Sequence, residues 1–184
     1  NAAVGRKPVL GLAEPGEPVT HVDWREWAAR SIPGTVFDQP EPAELIELTV
    51  IVPARDEEDC LGACLESLVR QSEEIFTLGK DWELVVVDDH SRDRTRAISQ
   101  SFPGVTVIEA GKLERGWTGK ANAVWTAARK ARGRWLLFTD ADTVHEQGDL
   151  RRALHEAERH KAGVLSYSPR QVVTCSPVTY PLPN

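Results

Sequence analysis

The chain has 184 residues, a formal net charge of −6, 12 prolines, 3 cysteines and no methionine. That length holds one domain with a sizeable core, and the acidic balance argues against a general nucleic-acid binder, which needs a basic face. No window is long and apolar enough to span a bilayer, and three cysteines with neither CxxC nor zinc spacing read as reduced thiols in a cytoplasmic setting.

Residues 1–44 form a segment of their own, broken into turns by Pro8, Pro15, Pro18, Pro33, Pro40 and Pro42. Within it, His21 to Arg30 reads as a short helix with Trp24, Trp27 and Ala28 on one side. Packing on the domain is its expected role. A membrane foot would need a basic polar face, and Asp23 and Glu26 offset Arg25 and Arg30.

From Leu45 the pattern alternates between strands and helices. Leu48 to Val52 is the first expected strand. Asp56, Glu57, Glu58 and Asp59 crowd the start of a helix whose stripe is Cys60, Leu61, Cys64, Leu65, Leu68 and Val69. Leu84 to Val87 is a second strand, ending at Asp88 and Asp89, with Ser91 as the expected N-cap of a helix to Gln100. Val105 to Ile108 is a third strand. A helix from Lys120 to Ala131 leads to Trp135–Phe138, read as a fully buried strand. Asp149 to His160 is a further helix that Gly163 is placed to end, and Val164 to Tyr167 is expected as a fifth strand.

Repeated strand–helix–strand units predict an α/β domain over residues 45–170, with an open, mostly parallel sheet and helices on both faces. Residues 171–184 are expected to be irregular. Acidic groups then gather at the carboxyl ends of the strands, where such sheets bind ligands. Asp140 and Asp142 stand one residue apart. In extended chain they point the same way and can share a hard cation, Mg2+ or Mn2+; the alternative is a turn with two solvated carboxylates. A Walker loop, GxGxxG, HExxH and GxSxG are all absent. What remains is an acidic pair able to accept from ribose or base at Asp88–Asp89, a cation site at Asp140/Asp142 able to bridge a diphosphate, and Lys120 at a helix start.

Thr49-Val-Ile-Val-Pro-Ala-Arg-Asp-Glu-Glu58, Val85-Val-Val-Asp-Asp-His-Ser91, Gly116-Trp-Thr-Gly-Lys120 and Phe138-Thr-Asp-Ala-Asp-Thr143 occur in that order. The set resembles family 2 glycosyltransferases of the GT-A fold, nearest the hopanoid- and carotenoid-associated branch, over about residues 48–170. The resemblance implies a glycosyltransferase, a nucleotide-sugar donor such as a UDP-sugar, Mn2+ or Mg2+, and an inverting displacement onto an acceptor for which a lipid is a candidate. Pro53, Arg55 and Glu57 would line the nucleoside pocket, with Asp88, Asp89 and Lys120 also on the nucleotide. Asp140 and Asp142 would hold the metal. It also implies an acceptor half and a general base that this chain is not expected to contain, and a place at the cytoplasmic membrane face. Three other readings stay open: a nucleotidyltransferase with the same nucleoside and metal site, a receiver-like signalling module suggested by Val87-Asp-Asp-His, and a donor-binding fragment without turnover. The acidic loop Asp56 to Asp59 stands where a nucleotidyltransferase typically carries a basic, glycine-rich one.

Overall fold

The structure, a computed structural model, describes residues 46–113, 115–168 and 170. The expected N-terminal helix at 21–30 and the segment 171–184 lie outside the described residues.

Four strands form one all-parallel sheet: β1 (Ile46–Ala54), β2 (Trp82–Asp88), β3 (Val105–Glu109) and β4 (Gly133–Phe138), in the order β3-β2-β1-β4. Among the described residues four helices alternate with them: α1 (Leu61–Val69), α2 (Thr95–Gln100), α3 (Gly119–Ala128) and α4 (Asp149–Arg159). The open parallel sheet is the architecture that the alternating pattern predicts.

Side chains on successive strand residues point to opposite faces, so the two central strands feed two cores. Leu48, Val50 and Val52 of β1 and Trp82, Leu84 and Val86 of β2 bury against Leu61, Cys64, Leu65 and Leu68 of α1 and Leu150 of α4. Ile51, Val85 and Val87 face the other way, onto Ala123, Ala127 and Ala128 of α3. Small residues let α3 approach the sheet closely. Each fully buried leucine or valine contributes about 1.5–3 kcal/mol, so the α1 stripe is a large share of the fold's stability.

Four expectations are corrected. β4 is an edge strand rather than a fully buried one: it pairs only with β1 among the described residues, and Phe138 is 52% exposed. Its apolar composition looks like that of a central strand, and composition does not report position in the sheet. Val164 to Tyr167 forms no strand, and Val164, Leu165 and Tyr167 are exposed. Helix α2 starts at Thr95 rather than near Ser91, and Asp93 Oδ1 accepts from the Thr95 amide at 2.9 Å. Helix α4 ends before Gly163: Lys161 adopts φ 50°, and the Ala162 amide donates to the Ala157 carbonyl at 2.9 Å. The left-handed residue that closes this helix is a lysine, which composition alone does not single out.

Candidate functional site at the carboxyl edge of the sheet

The chain runs from β1 outward through β2 to β3, then returns to place β4 on the other side of β1. The strand order therefore reverses between β1 and β4. In open parallel sheets the crevice outside the carboxyl ends at such a reversal is where ligands bind. The loops after β1, β2 and β4 and the start of α3 all open onto this edge. Pro53 near the end of β1 and Asp88 at the end of β2 are joined there by Arg55 and Glu57, Asp89, Asp140 and Asp142 from the loops, and Lys120 from the start of α3.

The loops after β1 and β2 are locked together. The amides of Asp56, Glu57 and Glu58 donate to Ser91 Oγ (3.1 Å), Thr95 Oγ1 (2.8 Å) and Asp93 Oδ2 (3.1 Å). In return, the Arg92 amide donates to Asp56 Oδ1 (2.7 Å), and the Arg94 amide to Glu58 Oε2 (3.0 Å). Asp56 and His90 sit at φ 55° and 58°. Left-handed backbone at non-glycine residues is held only where surrounding bonds over-determine it, and these five bonds do so. The acids before α1 thus bond across to the next loop; the first turn of the helix itself contains no acid. Asp56, Ser91, Asp93 and Thr95 form a clamp that a one-dimensional reading misses, because each partner is about 35 residues from the other. Hydrogen bonds from Thr95 hold the Asp93 carboxyl below its ordinary value.

Asp88 is buried, with Oδ1 accepting from the Ser91 amide (3.0 Å) and Oδ2 from Arg96 (3.4 Å). Both of its oxygens serve the turn. Asp89 is also buried, and its Oδ2 accepts from Arg55 at 3.4 Å. Gly119 lies directly against it: a Cβ at Gly119 would fall 2.5 Å from Asp89 Oδ2. This close approach explains a glycine at the first position of α3, where Thr118 caps the helix by accepting from the Ala121 amide (3.2 Å). Pro53 is half-buried next to the end of β1. Trp117 stays exposed, with its ring centroid 6.1 Å from that of Trp125.

Phe138 ends β4, and residues Asp140 to Thr143 make a turn closed by the Thr143 amide on the Asp140 carbonyl (3.2 Å). The extended alternation expected to align Asp140 with Asp142 is therefore not how the two carboxylates are placed. They nonetheless act on common neighbours. The Glu57 carboxyl is pushed up first by burial, then by Asp142 and Asp140, with Lys120 pulling it down. The Cys64 thiol is pushed up to about 12 by burial and then by Asp142. Three carboxylates from two loops therefore share one field. Lys120 Nζ lies 2.5 Å from Asp140 Oδ1, with both side chains more than half exposed. An exposed pair of this kind contributes less than about 1 kcal/mol, so Lys120 leaves Asp140 at little cost when a better anion arrives.

No cluster of three or more His, Cys, Asp or Glu among the described residues closes around a metal position. The donor set still fits a hard cation. All the nearby candidate ligands are carboxylate oxygens, and their mutual repulsion, visible on Glu57, is what a divalent ion relieves. Mg2+ is commonly held by one or two carboxylates, with substrate phosphates and water completing the shell.

The model of the family described as glycosyl transferase family 2 matches residues 49–181. The chain belongs to this family. The 4,4'-diaponeurosporenoate glycosyltransferase of Staphylococcus aureus strain MRSA252 is 28% identical over 128 residues, covering 68% of this chain and 32% of that protein. The chain thus spans about a third of the length of the curated relatives it matches. Among solved structures, similarity extends to S. aureus TarS 1–349 in complex with UDP-GlcNAc (25% identity, TM-score 0.48, 63% of this chain and 32% of that one). It extends also to the mannosyltransferase PcManGT from Pyrobaculum calidifontis in complex with GDP-Man and Mn2+ (28% identity, TM-score 0.46, 71% and 38%).

Proposed function

We propose that this chain is the donor-binding part of a glycosyltransferase that takes a sugar from a nucleotide-diphosphate donor, most simply a UDP-sugar, and passes it to an acceptor with inversion. Family membership supports sugar transfer. The observation that carries the rest is the convergence of Glu57, Asp140, Asp142 and Lys120 at the β1/β4 reversal, where Lys120 pairs with Asp140 and the two aspartates push the Glu57 carboxyl up while Lys120 pulls it down.

In this reading the site has two halves. Asp89, buried and oriented by Arg55, accepts from the nucleoside, in a pocket edged by Pro53, Arg55 and Glu57. Asp88 holds the loop beneath it. Asp140 and Asp142 hold Mn2+ or Mg2+, which when bound supplies positive charge to the leaving diphosphate. Lys120 moves from Asp140 to the same phosphates, adding a cation beside the amides that start α3. Inversion needs a general base, which we leave unassigned. A lipid is our candidate acceptor, supported by the similarity to the 4,4'-diaponeurosporenoate glycosyltransferase. No helix among the described residues is long and apolar enough to cross a membrane. Cys60 and Cys64, the free cysteines among the described residues, fit work on the cytoplasmic side of a membrane.

Calorimetry with UDP in the presence and absence of Mn2+ tests this directly. We expect binding that Mn2+ strengthens, and Asp142→Ala is expected to lower it to the affinity seen without metal. Absence of binding to any nucleoside diphosphate, with or without metal, would overturn the reading.

A further inference from the structure

One face of α1, continued by Gln71 just past its C-terminal end, grips the segment that carries Asp140 and Asp142. The Cys64 thiol donates to the Asp140 carbonyl at 3.6 Å. Ser67 Oγ donates to the Cys64 carbonyl (2.7 Å) and accepts from the His145 amide (3.0 Å). Gln71 Nε2 donates to the Ser67 carbonyl (3.1 Å) and to the Glu146 carbonyl (2.9 Å). The His145 ring then turns back, with Nε2 at 3.0 Å from Thr139 Oγ1, immediately before Asp140. The acidic turn is thus tied at both ends to one helix, and that same helix begins just after Glu57.

Gln71 is 2% exposed, and its Oε1 is buried without a partner among the described residues. An unsatisfied buried acceptor is costly, and an apolar side chain of similar size would pack there more cheaply. The amide's contribution lies in its two donated bonds, both of which bear on α1 and the segment after the turn.

We propose that Ser67, Gln71 and His145 are positioning residues that hold the Asp140–Asp142 turn at a fixed distance from Glu57, using α1 as a common strut. None of the three is among the residues placed above on donor or metal. The proposal rests on the reading above, that Asp140 and Asp142 hold the cation. Groups that orient metal ligands from behind typically account for 10- to 100-fold in metal affinity.

The test uses Gln71→Leu and His145→Ala, with His145→Gln as the conservative variant, since a glutamine amide can replace Nε2 near Thr139. UDP affinity is measured by calorimetry with Mn2+ and with EDTA, alongside melting temperature. Gln71→Leu removes one unpaired acceptor but leaves the Ser67 and Glu146 carbonyls without this donor, so a small fall in melting temperature is expected, together with a roughly tenfold weaker Mn2+-dependent UDP affinity. Affinity in EDTA should not change. His145→Ala should show the same selective loss, and His145→Gln should recover most of it. Unchanged Mn2+-dependent affinity in both Gln71→Leu and His145→Ala overturns the proposal while leaving the donor site intact. Equal losses with Mn2+ and with EDTA also overturn it, because they mean general damage. A wild-type chain without Mn2+-dependent binding overturns the donor-site reading, and this proposal with it.

Discussion

Cys60 and Cys64 lie one helical turn apart and have opposite chemistry. Cys60 is exposed, whereas Cys64 is wholly buried, donates to the Asp140 carbonyl and has its thiol pushed up to about 12. Only the thiolate is an effective nucleophile. Iodoacetamide at mildly alkaline pH is therefore expected to modify Cys60 within minutes and to leave Cys64 untouched until denaturant is added. Peptide mapping by mass spectrometry checks this, and equal labelling of both in the folded protein would contradict the buried position of Cys64 under the acidic turn. Asp88 and Asp89 make the same point with carboxylates. They are neighbours in the chain, yet the oxygens of one are used by the turn and those of the other face Arg55 and Gly119.

At the scale of elements, the placing of β4 depends on a polar staple at the opposite end of the sheet from the site. Thr49 Oγ1 donates to Glu83 Oε1 (2.6 Å) and accepts from the Gly133 amide (2.8 Å). Glu83 also accepts from the Arg132 amide (2.8 Å) and from Arg132 Nε (2.9 Å). Three strands are joined through one hydroxyl and one carboxylate. Gly133 is required because a Cβ there would overlap the Thr49 amide and the Leu48 carbonyl carbon. Thr49→Val keeps the shape but removes both hydroxyl bonds, the one given to Glu83 and the one taken from the Gly133 amide. Its expected cost is about 1–3 kcal/mol, read as a lower urea midpoint with unchanged slope. A cost near zero would mean that the main-chain ladder alone sets the register of β4.

For the whole molecule, the half-buried His145 links folding to pH. Burial pushes His145 below its ordinary value of 6.5, with Asp149 pulling the other way from 4.0 Å. Between that lower value and 6.5, the unfolded chain takes up a proton that the folded chain refuses. Stability therefore rises with pH across this window and falls as pH drops through it. The urea midpoint is expected to fall between neutral pH and about pH 5.5, and to fall less in His145→Gln, which has no ring to protonate. Identical pH dependence in the two proteins would show that His145 does not carry this linkage.

Alternating apolar strands and amphipathic helices made the α/β class and the parallel sheet legible in the sequence, because main-chain bonding and burial follow local periodicity. Four short motifs in order pointed to the family, since each is a contiguous strand end or helix start. Three-dimensional neighbours decided the rest. The edge position of β4, the turn at Asp140–Thr143 and the missing fifth strand depend on what packs alongside, and a run such as Trp135–Phe138 is apolar in either setting. The clamp of Asp56 with Ser91 and Arg92 and the strut from Ser67 and Gln71 to His145 and Glu146 join residues 35 to 78 positions apart. By itself the sequence determined which residues carry charge to the carboxyl edge. Only the tertiary structure decided which of those charges meet, because electrostatic coupling depends on distance through space rather than separation along the chain.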